Sequence, residues 1–112
     1  MSIHHPPQDL IVVDLPFKEL QIADELQKVN ETVCDNHDCD VIIDFSRVEV
    51  ITSSSLSNLL ILHNLLAERG HRLVLCNVSV ITKCVFRVAG LDDAFAFADD
   101  KPAAVAAIHA SI

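Results

Sequence analysis

An α/β fold is predicted: a single domain with a mixed, mostly parallel sheet of about four or five strands packed with about four helices. Three observations predict it. Short apolar runs rich in Val and Ile alternate along the chain with longer segments at helical spacing. A run of hydroxyls, Thr52-Ser53-Ser54-Ser55, falls where a strand region gives way to a leucine-rich helix. Gly70 and Gly90 each follow a helical pattern, where a left-handed residue ends a helix.

The elements follow in order. Residues 1–8 are expected to be a flexible tail, because Pro6-Pro7 opposes both helix and sheet pairing, and residues 9–112 form the domain. Leu10-Ile11-Val12-Val13 reads as a strand closed by Pro16. Phe17, Leu20, Ile22, Ala23, Leu26, Val29 and Val33 then recur at helical spacing among charged residues, which predicts an amphipathic helix laid on the sheet. Asp35-Asn36-His37-Asp38 ends it with turn formers. Val41-Ile42-Ile43-Asp44 is apolar on both faces until its last residue, as in a central parallel strand. After a bend at Ser46-Arg47, Val48-Glu49-Val50-Ile51 reads as a second β-rich piece. Residues 56–68 are apolar nearly all round, with a narrow polar side of Ser57, Asn58, Asn64 and Glu68. Leu73-Val74-Leu75 is the next buried strand. Val78, Ile81, Val85, Val88 and Ala89 space a third helix, capped by Asn77 or Ser79. Residues 94–98 make a weak edge strand, and residues 101–109 a closing helix behind Asp99-Asp100.

Composition narrows the function classes. With 51% hydrophobic residues the chain has ample material for one core. A formal net charge of −8 opposes nucleic-acid binding, which needs clustered Lys and Arg, and disfavours anionic membranes. No apolar run approaches the roughly 20 residues of a membrane span. The N-terminus lacks a signal-peptide pattern, so a cytoplasmic location is the default expectation. Cys34, Cys39, Cys76 and Cys84 fit no zinc-ligand spacing; no metal, cofactor or disulfide is expected, and Cys76 and Cys84 read as small buried hydrophobes. A serine at a strand-to-helix turn invites comparison with a nucleophile elbow, but the glycines that such a turn needs are missing. His63 lies about two helical turns beyond the serines, out of reach as a base. No catalytic residue is assigned and no enzyme activity is expected.

The stretch Asp44-Phe45-Ser46-Arg47-Val48-Glu49-Val50-Ile51-Thr52-Ser53-Ser54-Ser55-Leu56, followed by a leucine-rich helix, resembles the signature of the STAS domain of bacterial anti-sigma factor antagonists. In that family an Asp-Leu/Phe-Ser opening leads to Asp-Ser-Ser-Gly-Leu at the helix start. Here Thr52 stands for the aspartate and Ser55 for the glycine, and the family's Gly-x-hydrophobic-Asp element near the N-terminus is absent. The resemblance covers about the last two thirds of the chain. It implies a STAS-like fold and a protein-binding module that regulates transcription indirectly by sequestering an anti-sigma factor with serine kinase activity. It also implies that the partner phosphorylates the second serine of the pair, which maps to Ser54, with Ser53, Ser55 and Thr52 as alternative acceptors. The partner surface is expected to comprise Asp44 and the loop Thr52, Ser53, Ser54 and Ser55, to which helical steps from Ser54 add Asn58 and Ile61 on the outer stripe of the following helix. From the residues alone, Ser54 also reads as a plain helix cap. The resemblance also implies an alternative: a STAS scaffold module that binds partners without phosphorylation in a sensory or signalling assembly. Ser55 in place of glycine is expected to add a side chain where a partner must come close.

Overall fold

The computed structural model describes residues 2–4, 10–34, 39–49 and 51–109. Its elements run β1 (Ser2–His4), β2 (Leu10–Asp14), α1 (Glu19–Cys34), β3 (Asp40–Asp44), α2 (Ser53–Glu68), β4 (Leu73–Cys76), α3 (Val80–Val88), β5 (Ala96–Ala98) and α4 (Lys101–His109). The five strands form one sheet in the order β1-β2-β3-β4-β5. β1 pairs antiparallel with β2, and β2 to β5 are mutually parallel. The predicted mixed, mostly parallel α/β architecture is thus the one observed. The tail expected over residues 1–8 is corrected at Ser2–His4, which extends the sheet edge: β2 offers unpaired backbone groups there, and Pro6-Pro7 come only after the paired segment. Residues 35–38, expected to end the first helix, lie outside the described residues.

Strand alternation divides the core. Ile11, Val13, Val41, Ile43, Leu73 and Leu75 face one layer with α1, α2 and α3. Leu10, Ile42, Val74 and Cys76 face the other, against Ala104 and Ile108 of α4. Val41, Ile42 and Ile43 are fully buried, as a central parallel strand requires. α1 and α2 are also tied by polar contacts: the Asn30 amide donates to the Asn58 carbonyl at 3.1 Å, and the Arg69 guanidinium donates to the Val33 and Cys34 carbonyls that end α1. That supplies the cation which α1 lacks in its own last turn.

Both glycines do what their positions predicted. Gly70 has φ +74° and Gly90 φ +75°. After α2, His71 N–H donates to the Leu66 carbonyl and Gly70 N–H to that of Ala67; after α3, Leu91 bonds Phe86 and Gly90 bonds Arg87 in the same way. These paired bonds satisfy carbonyls that a helix end leaves open.

Three expectations change. The β-rich piece at 48–51 is not a strand among its described residues; Val48 and Ile51, three apart, both turn into the core, a spacing incompatible with strand alternation. Phe17 precedes α1 and is 60% exposed rather than on its buried face. α3 is rotated from its expected phase: Thr82 and Phe86 are buried, while Ile81 and Val88 face outward. Phe86 decides that phase, because its ring meets Phe45, Phe95 and Phe97 at 6.5, 5.4 and 5.6 Å, and aromatic burial outweighs that of valines. The rotation also leaves Cys84 exposed instead of buried. Phe86→Ala should lower stability by about 3–5 kcal/mol in denaturant unfolding, whereas Val88→Ala should stay within about 0.5 kcal/mol of the parent.

Candidate protein-interaction site

The hydroxyl run begins α2, but its members have different environments. Thr52 is the N-cap, with extended backbone at φ −95° and ψ 167°. Its Oγ1 accepts from the Ser55 N–H at 3.3 Å and donates to Ser55 Oγ at 3.3 Å. Ser55 is fully buried. α3 opens in the same manner: Ser79 Oγ accepts from the Thr82 N–H at 3.1 Å and donates to Thr82 Oγ1 at 3.0 Å, with Thr82 buried. Both starts are hydroxyl versions of a capping box, in which the cap and the third helical residue satisfy one another. Aspartate and threonine are both capping residues, so Thr52 preserves the cap that an aspartate would make.

The expectation that Ser55 adds a side chain at a partner surface is corrected: its hydroxyl points into the protein, bonded to Thr52. Burial likewise removes Ser55 as an accessible phosphoacceptor, and Thr52 is half-buried with its oxygen engaged. The plain cap read for Ser54 passes to Thr52. Ser53 and Ser54 are exposed in the first turn, and their hydroxyls have no hydrogen-bond partner among the described residues. Their backbone N–H groups are two of the four donors that a helix start leaves open.

Further along α2, Ser55, Leu59, Leu62 and Leu66 form the buried line. Ser54 and Ile61, seven residues apart, share the outward side, and Ile61 is 49% exposed. Asn58 leaves the expected partner stripe: it leans toward α1, its amide donating to the Ala23 carbonyl at 3.5 Å, and its carbonyl groups face Asn30. His63 stacks edge-on against Phe95 at 5.6 Å, away from the serines.

Asp44 belongs to a different constellation, and its expected place on a partner surface is corrected by its 5% exposure. Parallel register sets Asp14, Asp44 and Cys76 side by side at the strand ends. Lys101, the first residue of α4, reaches Asp14 Oδ1 at 2.6 Å and Asp44 Oδ2 at 3.5 Å. Asp44 also accepts from Ser46 N–H at 2.7 Å and from the Asn77 amide at 3.3 Å to each oxygen. Asn77, weighed as a cap for α3, holds a positive φ of 55° and serves Asp44 instead. Burial pushes the Asp44 carboxyl up, but the Ser46 and Asn77 hydrogen bonds and the Lys101 charge outweigh it and hold the group below 3.8. The Asp14 hydrogen bond, against partial desolvation and aided by the Asp14 and Asp44 charges, holds Lys101 above 10.5. Burial and the Asp44 charge push the Cys76 thiol up to about 12, which keeps it neutral and unreactive. Beside this cluster opens a cleft of about 630 Å³, lined by Asp14, Phe17, Lys18, Asp44, Arg47 and Lys101 among others. Asp14 and Lys101 were not singled out from sequence, and Asn77 only as a cap; the two strand-end aspartates were the available signal.

The STAS domain family matches residues 20–104, most of the chain, including the hydroxyl run, Asp44, Asn77 and Lys101. The chain belongs to the STAS domain family. Solved structures agree in fold. RsbS from Moorella thermoacetica, in a serine-to-glutamate variant, is 17% identical with a TM-score of 0.84, over 98% of this chain and 95% of that one. An anti-sigma-factor antagonist (STAS) domain protein from Planctomyces limnophilus is 21% identical with a TM-score of 0.83, over 96% and 97%. The anti-sigma factor antagonist SpoIIAA, in its unphosphorylated form, is 16% identical with a TM-score of 0.75, over 99% and 98%. A search of curated proteins finds no match. Among the described residues no helix of this STAS domain is long and apolar enough to cross a membrane.

Two outcomes test this geometry. Thr52→Ala should cost about 1 kcal/mol in unfolding free energy, and Thr52→Asp should recover most of it. The depressed Asp44 carboxyl contributes stability that is present above its unfolded value of about 3.8 and is lost as pH falls through the lower folded value. The gap between the thermal midpoints of the parent and Asp44→Asn should therefore shrink as pH drops below about 4, followed by circular dichroism.

Proposed function

We propose that this STAS domain is an anti-sigma factor antagonist whose binding to an anti-sigma factor with serine kinase activity is switched off by phosphate on Ser54. The observation that carries the reading is the division of labour among the four hydroxyls. Thr52 and Ser55 are committed to the helix cap, while Ser54 is exposed with its hydroxyl unengaged among the described residues. Ser53 shares that exposure; Ser54 is preferred because it holds the second-serine position of the family motif and lies in line with Ile61 on the outward side of α2.

The chemistry supports a switch that leaves the fold alone. Phosphorylation adds roughly −1.5 to −2 charge. At the start of a helix that charge meets open N–H groups and the positive end of the dipole, so the domain tolerates it. The cost falls on the partner, which must desolvate the dianion or meet it with its own acids. A loss of about 3 kcal/mol at that contact corresponds to more than a hundredfold in affinity, since each ~1.4 kcal/mol is tenfold. SpoIIAA, described by its phosphorylation state, supports reading a hydroxyl here as the switch. Ile61 supplies an apolar contact among polar neighbours, as protein interfaces do.

Incubation with the anti-sigma kinase and ATP, followed by phosphopeptide mapping, should place phosphate on Ser54. Ser54→Ala should bind constitutively and Ser54→Asp at least tenfold more weakly, on the charge argument above. Ile61→Glu should weaken binding with the thermal midpoint nearly unchanged, because the position is half-exposed. If Ser54→Asp binds as tightly as the parent and residues 52–55 stay unmodified, the domain is instead a scaffold that works without phosphorylation.

A further inference from the structure

The most exposed large apolar side chains of the described residues are not on α2. Val80, Ile81 and Val88 of α3 are 78%, 72% and 90% exposed, and Cys84 between them is exposed too. At about 100° per residue, Val80, Cys84 and Val88 form one line opposite Thr82 and Phe86, with Ile81 beside it. Lys83 and Arg87 run along the other flank of that line. Residues 80–91 contain these two cations and no acid, in a chain whose formal net charge is −8. Lys83 leans over the Phe97 ring at 5.8 Å while staying exposed, and Arg87 has no ion pair among the described residues. A row of β-branched side chains in water, edged on one side by cations, is an unsatisfied helix-packing surface with a defined polarity.

We propose that the outward face of α3 docks an acidic amphipathic helix of a protein partner, with the partner's apolar stripe on Val80, Cys84 and Val88 and its carboxylates against Lys83 and Arg87. Charge complementarity selects this occupant. A second copy of the chain is a poorer fit, because an antiparallel two-fold pairing of α3 would set Lys83 and Arg87 against their own copies. α3 spans about 13 Å, enough for two to three turns of a partner helix packed alongside it. This surface needs no phosphate on Ser54, and it stands whether or not the hydroxyl loop is a switch.

The test uses the full isotope-labelled chain and two synthetic helical peptides, one carrying Leu at helical spacing with Glu on its flanks, the other with Lys in place of Glu. The acidic peptide should produce saturable resonance shifts centred on Val80, Ile81, Cys84 and Val88, and the lysine peptide should not. Lys83→Glu combined with Arg87→Glu should weaken the acidic peptide at least tenfold and favour the lysine peptide. Val88→Glu, at a position 90% exposed, should weaken the acidic peptide while circular dichroism shows the fold unchanged. Equal binding of both peptides, shifts that miss α3, or no saturable shift overturns the proposal. So does concentration-dependent shifting of α3 resonances without peptide, which assigns the face to self-association, or co-sedimentation of the chain with anionic vesicles, abolished by Val88→Glu, in place of peptide binding, which assigns it to lipid.

Discussion

Lys101 holds together an arrangement that the sheet alone would push apart. Parallel register brings Asp14 and Asp44 side by side at the ends of neighbouring strands, and like charges so placed destabilise a sheet. The ammonium at the start of α4 bridges them and offsets one of the two negative charges. The same carboxylate, Asp44, fixes the turn at Ser46 and takes the amide of Asn77, so it governs the departures of the chain toward both α2 and α3. One buried acid thereby couples the closing helix to the two connections from which the outward-facing helices begin. Its environment is polar enough to keep it charged although it is almost wholly enclosed.

What those connections deliver is a pair of equivalent helix starts. Thr52 with Ser55, and Ser79 with Thr82, are each a cap hydroxyl locked to a buried hydroxyl three residues on. The lock agrees with the rotational phase that core packing sets for each helix, since the third helical residue must be buried, and phase determines which side chains reach solvent. On α2 that phase sends Ser53, Ser54 and Ile61 outward; on α3 it does the same for Val80, Cys84 and Val88. The two outward faces differ in chemistry, hydroxyl-rich in one case and apolar with a cationic margin in the other, although the device that starts both helices is shared.

The strands and helix ends were legible because short-range chemistry dictates them: Val41-Ile42-Ile43 could only be an interior strand, and Gly70 and Gly90 end their helices as their lack of a Cβ allows. Helix phase was less legible. Apolar residues on α3 outnumber the positions available in the core, and only the tertiary meeting of Phe86 with Phe45, Phe95 and Phe97 selects among them. At the site, the hydroxyl run and its place at the start of α2 were visible in the motif, yet the split between buried Ser55 and exposed Ser54 depends on that phase as well. The Asp14–Asp44–Lys101 cluster joins residues up to 87 positions apart, from Asp14 to Lys101, and no local pattern announces such a contact. Ser2–His4 escaped for a related reason: an edge strand is recruited by its neighbour's open backbone groups more than by its own composition.

The apolar face of α3 also bears on how this protein behaves in concentrated solution. Three bare β-branched residues on a molecule this small are held apart from their like by long-range repulsion among acidic molecules. That repulsion vanishes near the isoelectric point of about 4.9, where attraction between such faces is no longer opposed. Colloidal solubility is therefore least in mildly acidic buffers, and crystal lattices grown from them will tend to use α3 as a contact.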